Sequence, residues 1–283
     1  MHGRLRLRGV FGAVLLCAGL AQVASAQDSG LIGSVELVDP KVLRVCADPN
    51  NLPFTNEKME GFENRLADFL AAKLGKSVSY SYFPMVTGFV RKTLGEFKCD
   101  VILGYPQGDE LVQNTNAYYR TTYALIYKPG IGLDGVDTLT DPRLKDKRVG
   151  IIAGTPPGSI MARNGLMAKA KPYPLMVDTR HESSTQSMIA DLKSGEIDVA
   201  VLWGPIAGYF VKKSSEPLVL VPLLKEKKST HMVFRITMGV RATDQEWKRT
   251  LNTLLRDNQK QINAILLEFG VPLLDEQDHP ISQ

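Results

Sequence analysis

The residues from which chemistry could be built here are two widely spaced cysteines and a set of prolines, aromatics and amides on polar loops. Asn50, Asn51, Pro53 and Phe54 stand in one such loop, Tyr105, Pro106 and Gln107 in a second, Thr155, Pro156 and Pro157 in a third, and Trp203 at the end of an apolar run. Tyr118, Tyr119 and Arg120 fall in an irregular segment between them. Rings and prolines offer large contact area with few rotors to immobilise, so a wall made of them suits a flat ring or a protein segment. The same aromatics would equally fill a core. Arg120 can meet an anion, brace a hinge or form a structural ion pair. The turn AGTPPGS can hold an anionic oxygen on its backbone N–H groups and the Thr155 and Ser159 hydroxyls, or Ser159 can simply cap a helix.

Catalytic and metal chemistry find less support. His181, His231 and His279 lack the spacing of a zinc motif, and neither a D-x-D-x-D calcium loop nor a G-x-S-x-G nucleophile turn is present. Asp275, Glu276, Asp278 and His279 cluster near the end of the chain, where a solvated, frayed terminus over the last ten residues is expected. Nucleophilic catalysis and a metal site therefore have no signature in the sequence, and no enzymatic activity, cofactor or metal is expected.

The elements that must position these loops follow from periodicity. Leu43 and Val45 sit in a short apolar run, a polar turn covers Asp48 to Glu60, and Phe62, Leu66, Phe69, Leu70 and Leu74 then share one helical face. Strand, loop and helix in that order put Pro49 to Asn56 beyond the carboxyl end of a strand, where α/β sheets bind ligands, although an ordinary surface loop has the same pattern. SVSYSYF gives a second strand, Thr87 caps a short helix, and CDVILGY is a third, largely apolar strand. A second α/β unit starts at Lys147: strand RVGIIAG, a helix from Ser159, a strand at Leu175 to Val177, a helix through Met188, Ile189 and Leu192, a strand at Asp198 to Leu202, a helix at Pro205 to Val211 and the strand PLVLVPLL. MVFRITMGV follows, and Thr243 to Glu246 fits a capping box before two helices that stop at Gly270. One such unit on each side of residues 118–130 implies two lobes with a cleft between them.

Composition agrees with that reading, since 44% apolar and 23% charged residues are what a soluble globular chain carries. Arg4, Arg6 and Arg8 precede the apolar run Val10 to Val23, and Ala24-Ser25-Ala26 is an A-x-A site, so residues 1–26 read as a secretory signal peptide and the mature chain as exported. Gly12, Gly19 and Gln22 and the short length argue against a membrane anchor. Removing three arginines leaves 31 basic residues against 30 acidic ones, and no basic run with interleaved aromatics exists, so nucleic acid is not a partner. In an exported chain the remaining pair, Cys46 and Cys99, is expected to form a disulfide. Simple parallel register of their strands would place the two Cα atoms beyond the roughly 7 Å that a bridge tolerates.

Taken in order, LRVCADPNNLPF, GFENRLADFLAAKLG, GFVRKTLGEFKCDVILG, RVGIIAGTPPGS, SGEIDVAVLWGP and LLEFGVP resemble the type II periplasmic solute-binding proteins over nearly the whole mature chain. RVCADPNNLPF with GFENR, GFVRKTL with CDVILGYP, and YYRTTYALIY resemble more narrowly the methanol-dehydrogenase-associated J proteins, MxaJ and XoxJ. The resemblance implies an α/β, two-lobed fold, each lobe a mixed sheet flanked by helices, joined by a hinge of two crossings. Lobe 1 would hold 27–125 and 232–283, and lobe 2 would hold 126–231. It also implies an accessory factor for a quinoprotein (PQQ-dependent) methanol dehydrogenase and its c-type cytochrome. The inter-lobe cleft, lined by Asn50, Asn51, Pro53, Phe54, Tyr105, Gln107, Tyr119, Arg120, Thr155, Pro156 and Trp203, would hold a peptide segment or small molecule. Both cysteines lie inside these motifs. Amino-acid binders of this fold carry an arginine shortly after the third strand to grip a carboxylate, and an acid in the second lobe for the ammonium. Here those places read YPQGDELV, with Asp109 and Glu110, and Trp203-Gly204-Pro205. The alternative is a conventional solute receptor of an import system for a small ligand other than an amino acid.

Overall fold

The computed structural model describes residues 36–226 and 231–282, so the leader expected over 1–26 lies outside the described residues. The first apolar run forms β1 (Val42–Ala47) with Leu43, Val45, Cys46 and Ala47 buried. Part of the loop beyond it is ordered as a hairpin of β2 (Asn50–Asn51) and β3 (Thr55–Asn56). Helix α1 (Phe62–Leu74) follows, with Phe62, Leu66 and Leu70 buried. Next come β4 (Ser77–Tyr82), the single turn α2 (Phe89–Lys92), β5 (Val101–Pro106), β6 (Gln113–Asn114) and the long β7 (Tyr119–Tyr127). The second unit holds β8 (Val149–Ile152), α3 (Pro156–Arg163), β9 (Lys171–Tyr173), α4 (Ser184–Ser194), β10 (Val199–Trp203), α5 (Gly204–Lys213) and β11 (Val219–Pro222). The chain returns through β12 (Val233–Val240) and ends in α6 (Gln245–Asp257) and α7 (Gln259–Glu268).

The main sheet runs β4-β1-β5-β12-β7-β10-β8-β9, with β11 also on β7 and β6 on β12. Its outer pairs are parallel, β1 with β4 and β5, and β8 with β9 and β10. At the centre β7 is antiparallel to β12 over Tyr119 to Thr122 and to β10 and β11 over Tyr123 to Tyr127. The changeover between Thr122 and Tyr123 divides the two halves, each with its own apolar core: α1, α6 and α7 pack on β1 and β5, and α3, α4 and α5 on β8 and β10. Among the described residues no helix is long and apolar enough to cross a membrane.

Three local expectations are corrected. The strand expected at Leu175 to Val177 lies earlier, at β9, because Pro174 has no N–H for a ladder, and Leu175 and Met176 are left exposed. Helix α6 starts at Gln245 without a side-chain cap of its own; instead the N–H groups of Glu246 and Trp247 donate to the Glu36 carboxylate at 2.5 and 3.0 Å. The tail is not frayed. Leu274 N–H donates to Arg120 O, Leu274 bridges to Pro280, and Glu276 and Asp278 pair with Arg120.

Cys46 and Cys99 are joined by a disulfide with Cα atoms 5.4 Å apart. The register objection fails because the β1–β5 ladder pairs Cys46 with Ile102, while Cys99 precedes β5 and is free to turn towards its partner. Both cysteines are buried beside Phe89, Leu94 and Ile102. With a sequence separation of 53, the bridge contributes about 4 kcal/mol in the chain-entropy picture. Denaturant titration with and without reductant should show a loss of about that size, matched by the Cys46→Ala/Cys99→Ala variant.

Candidate ligand-binding cleft

Where β7 changes partner, three strands each deliver an aromatic side chain to the same place. Trp203 at the end of β10 is registered opposite Tyr123 of β7, and Phe234 of β12 completes the group. Their rings meet edge to face, with centroids 5.1 Å apart for Tyr123–Trp203, 5.5 Å for Trp203–Phe234 and 6.2 Å for Tyr123–Phe234. The position of Trp203 is set by the residue after it. A Cβ on Gly204 would lie 2.2 Å from Thr122 O, so only glycine lets α5 begin so close to β7.

The facing wall comes from the loop after β1 and the start of α1. Phe62 N–H donates to Pro53 O and Glu63 N–H to Phe54 O, while Asn64 Oδ1 accepts from the N–H groups of Gly61 and Asn56. These bonds fix Phe54 against Phe62 at 5.3 Å and bring Glu63 to the cavity. Two adjoining cavities of about 340 and 370 Å³ share Asn51, Phe54, Met85, Tyr123, Leu175 and Trp203 and so form one cleft. Neither is lined by a lysine, arginine or histidine. The larger one adds Glu63, Gly104, Pro106, Tyr119, Phe234 and Ile236, and the smaller one adds Thr155, Met176, Thr179 and Ile206.

Glu63 and Asp48 are both buried, yet their surroundings differ. The Asp48 carboxylate accepts from Asn50 N–H (2.9 Å), Met85 N–H (2.6 Å) and Thr179 Oγ1 (2.7 Å). Together with Asn50 Nδ2 donating to Thr179 O (2.8 Å), these bonds tie the loop after β1 to the segment between β9 and α4 across the mouth of the cleft. The Glu63 carboxyl, only 5% exposed, has no hydrogen-bond partner among the described residues. Burial first, and the Asp48 charge second, push its pKa up to about 8, which favours the protonated, neutral acid near pH 7. Burial likewise raises Tyr123 to about 12, and burial followed by Glu63 holds Tyr119 well above the usual phenol range.

Of the residues assigned to the cleft from sequence, Asn51, Phe54, Tyr119, Thr155 and Trp203 line it. Asn50 stands at its mouth through Thr179, and Pro53 is buried behind the loop. Pro156 opens α3 beside Thr155, whose hydroxyl donates to Ile152 O at 2.7 Å instead of facing an anion. Tyr105 packs against the disulfide cluster, and Gln107 lies with Arg120, His231 and Arg235 in a separate depression. Arg120 is a structural ion-pair residue, meeting Glu276 at 3.1 Å and Asp278. Sequence reading passed over Glu63, Tyr123 and Phe234. Glu63 shares a helical face with Leu66, Ala67 and Leu70, which are all buried, and that spacing was the available signal. Tyr123 and Phe234 are hidden in apolar runs where ring and core positions look alike.

No protein-family model matches the chain. It is 41% identical to the periplasmic binding protein XoxJ from Methylobacterium extorquens, whose solved structure superposes with a TM-score of 0.70 over 83% of this chain and 100% of that one. The chain belongs to the MxaJ/XoxJ family of periplasmic binding proteins. A curated relative, Protein MoxJ from Methylorubrum extorquens, is 28% identical over 279 residues, covering 93% of this chain and 92% of that protein. An ancestral cationic amino acid solute-binding protein matches at 22% identity and a TM-score of 0.64 over 81% of this chain and 95% of that one, which carries the type II fold alone. Within the family fold, the cleft of this chain is aromatic and free of basic side chains, whatever its occupant.

Glu63 makes stability depend on pH. Between the ordinary 4.5 and about 8 the folded chain keeps the Glu63 proton while the unfolded chain has released it. Its contribution is therefore fully present below 4.5, falls as pH rises across that window and is lost above about 8. Glu63→Gln should unfold like wild type at the acid end and be more stable by on the order of a few kcal/mol at the alkaline end. Denaturant midpoints that stay parallel across the window would show instead that Glu63 is ionised in the fold.

Proposed function

We propose that this protein is a non-enzymatic periplasmic accessory factor for a PQQ-dependent methanol dehydrogenase. In this reading the cleft holds a partner segment or a small molecule and so aids activation, assembly or pairing of the dehydrogenase with its c-type cytochrome. Family membership supplies the setting, and one observation favours accessory binding over amino-acid uptake: a cleft of aromatic walls contains no basic side chain to neutralise a carboxylate. A zwitterion would have to bury its carboxylate unpaired, at a cost of several kcal/mol. Large rigid rings are suited to burying an apolar surface with little loss of rotamer freedom.

The test is the rate of a cognate dehydrogenase with its cytochrome, measured with and without purified protein, together with co-elution of the two. Activity should rise on addition, and Trp203→Ala or Phe54→Ala should weaken the effect by about tenfold or more, as for a central aromatic anchor. If neither activity nor co-elution changes while a small solute raises the melting temperature, the protein is a conventional solute receptor and the accessory role is wrong.

A further inference from the structure

An acid does not end up unpartnered in an apolar cavity by default. A buried carboxyl without a hydrogen bond costs free energy, and the fold makes specific room for this one. A Cβ at Gly104 would stand 2.1 Å from Glu63 Oε1. The backbone of Gly104 is not in the left-handed region that calls for glycine, so its missing side chain serves the carboxyl above it. Around the acid lie Phe54, Tyr119, Tyr123, Trp203 and Phe234, on the floor and walls of the cavity of about 370 Å³. The side chains of Asn51, Tyr119, Tyr123 and Trp203 likewise have no hydrogen-bond partner among the described residues, and each carries an N–H or O–H.

We propose that Glu63 is the polar anchor of the cleft, its O–H donating to a carbonyl oxygen of a flat, uncharged ligand stacked among the aromatic walls. A carboxylate ligand is disfavoured by the missing cation and by Asp48. An ammonium ligand would need Glu63 to ionise, and the second carboxylate that would strengthen such a site, Asp48, already accepts three hydrogen bonds from the protein. The titratable groups that sense Glu63 are Asp48 from the loop after β1, Tyr80 from β4, Tyr118 just before β7 and Tyr119 at its start, none of them basic. A carbonyl can come from a small aromatic molecule or from a peptide group of a bound segment; the chemistry at Glu63 is the same.

The inference rests on the reading that this cleft is the binding site, and it is tested on the isolated protein with no dehydrogenase present, so its failure is separate from failure of the accessory role. Three probes of one shape are titrated by Trp fluorescence and by NMR: 1-indanone, indane, which lacks the oxygen, and 1-aminoindane, which is a cation. Below the Glu63 value of about 8, 1-indanone should bind about tenfold more tightly than indane, and this preference should vanish well above it. Glu63→Gln, which keeps an N–H donor, should retain the preference but lose its pH dependence. Glu63→Leu should abolish the preference, and Gly104→Ala, which displaces the carboxyl, should reduce it. The proposal is overturned if indane and 1-indanone bind alike, if 1-aminoindane binds best with affinity rising above about 8, or if 1-indanone does not bind. For the source of the carbonyl, the same titration with a capped dipeptide amide distinguishes a peptide group from an aromatic ketone.

Discussion

The fold depends on β7, a single nine-residue strand whose hydrogen-bonding capacity is divided between the two halves of the main sheet. Its first four residues give their ladder to β12 and its last five to β10 and β11, so the strand cannot slip without breaking both. Side chains at the changeover reinforce the split. Thr122 Oγ1 is within hydrogen-bonding distance of both Leu223 O and Met232 O, which bracket the return of the chain, and Thr121 Oγ1 donates to Pro272 O in the segment after α7. Tyr118 and Arg120 extend the same economy, the first donating its hydroxyl to Leu103 O and the second pairing with the C-terminal tail. The irregular segment that looked like a hinge in the sequence thus leads into an ordered strand tied to β12, to the segment after α7 and to the C-terminal tail.

That constraint also builds the cleft. Because Tyr123 is the first residue of β7 to face its new partner, it meets Trp203 in register, and Phe234 reaches the pair from the other flank. A wall of three strands is more rigid than a wall of loops, and its edge-to-face rings leave little freedom to repack. On the opposite side a second anchor, Asp100, accepts from Arg44 at 2.7 and 2.8 Å and from Arg241 at 2.7 Å beside the disulfide. Arg241 also reaches Asp244 and the carbonyl of Cys99, so β1, β5 and the turn after β12 are locked as one block behind the loop that carries Phe54. The cleft therefore lies between two stiff surfaces, joined at the mouth by the bonds that Asp48 and Asn50 make to Thr179.

How much of this could be read from the chain depends on whether the signal is local. The strands β1, β4, β5, β8, β10 and β11 and the helices α1, α4 and α5 have clear periodicity, and the expected spans overlap the observed ones. Phe54 and Trp203 could be assigned to a cleft because each follows a strand on a short, proline-marked turn. What escaped was set by partners far away in sequence. Glu36 caps α6 from 210 residues upstream, and the C-terminal acids are ordered by Arg120 from 156 and 158 residues away. Pro174 moved a strand because its lost donor matters only once the neighbouring strand β8 is known. Glu63 was missed for a different reason: an acid in the first turn of a helix is favoured by the helix dipole, so it reads as ordinary chemistry even on an apolar face.

Asp48 and Glu63 show how the same functional group acquires two roles from its surroundings alone. Three donors converge on Asp48, and it becomes part of the framework, holding loops from both halves together. No donor reaches Glu63, the space of a missing side chain at Gly104 receives it, and the nearby Asp48 charge makes ionisation still less favourable. Supplying Glu63 with a cation would have made it structural too, yet none of the residues lining the cavity provides one. The fold thus spends its hydrogen bonds on the rim and withholds them from the floor. A site arranged in that way gains most from a ligand that completes the missing hydrogen bond without adding charge.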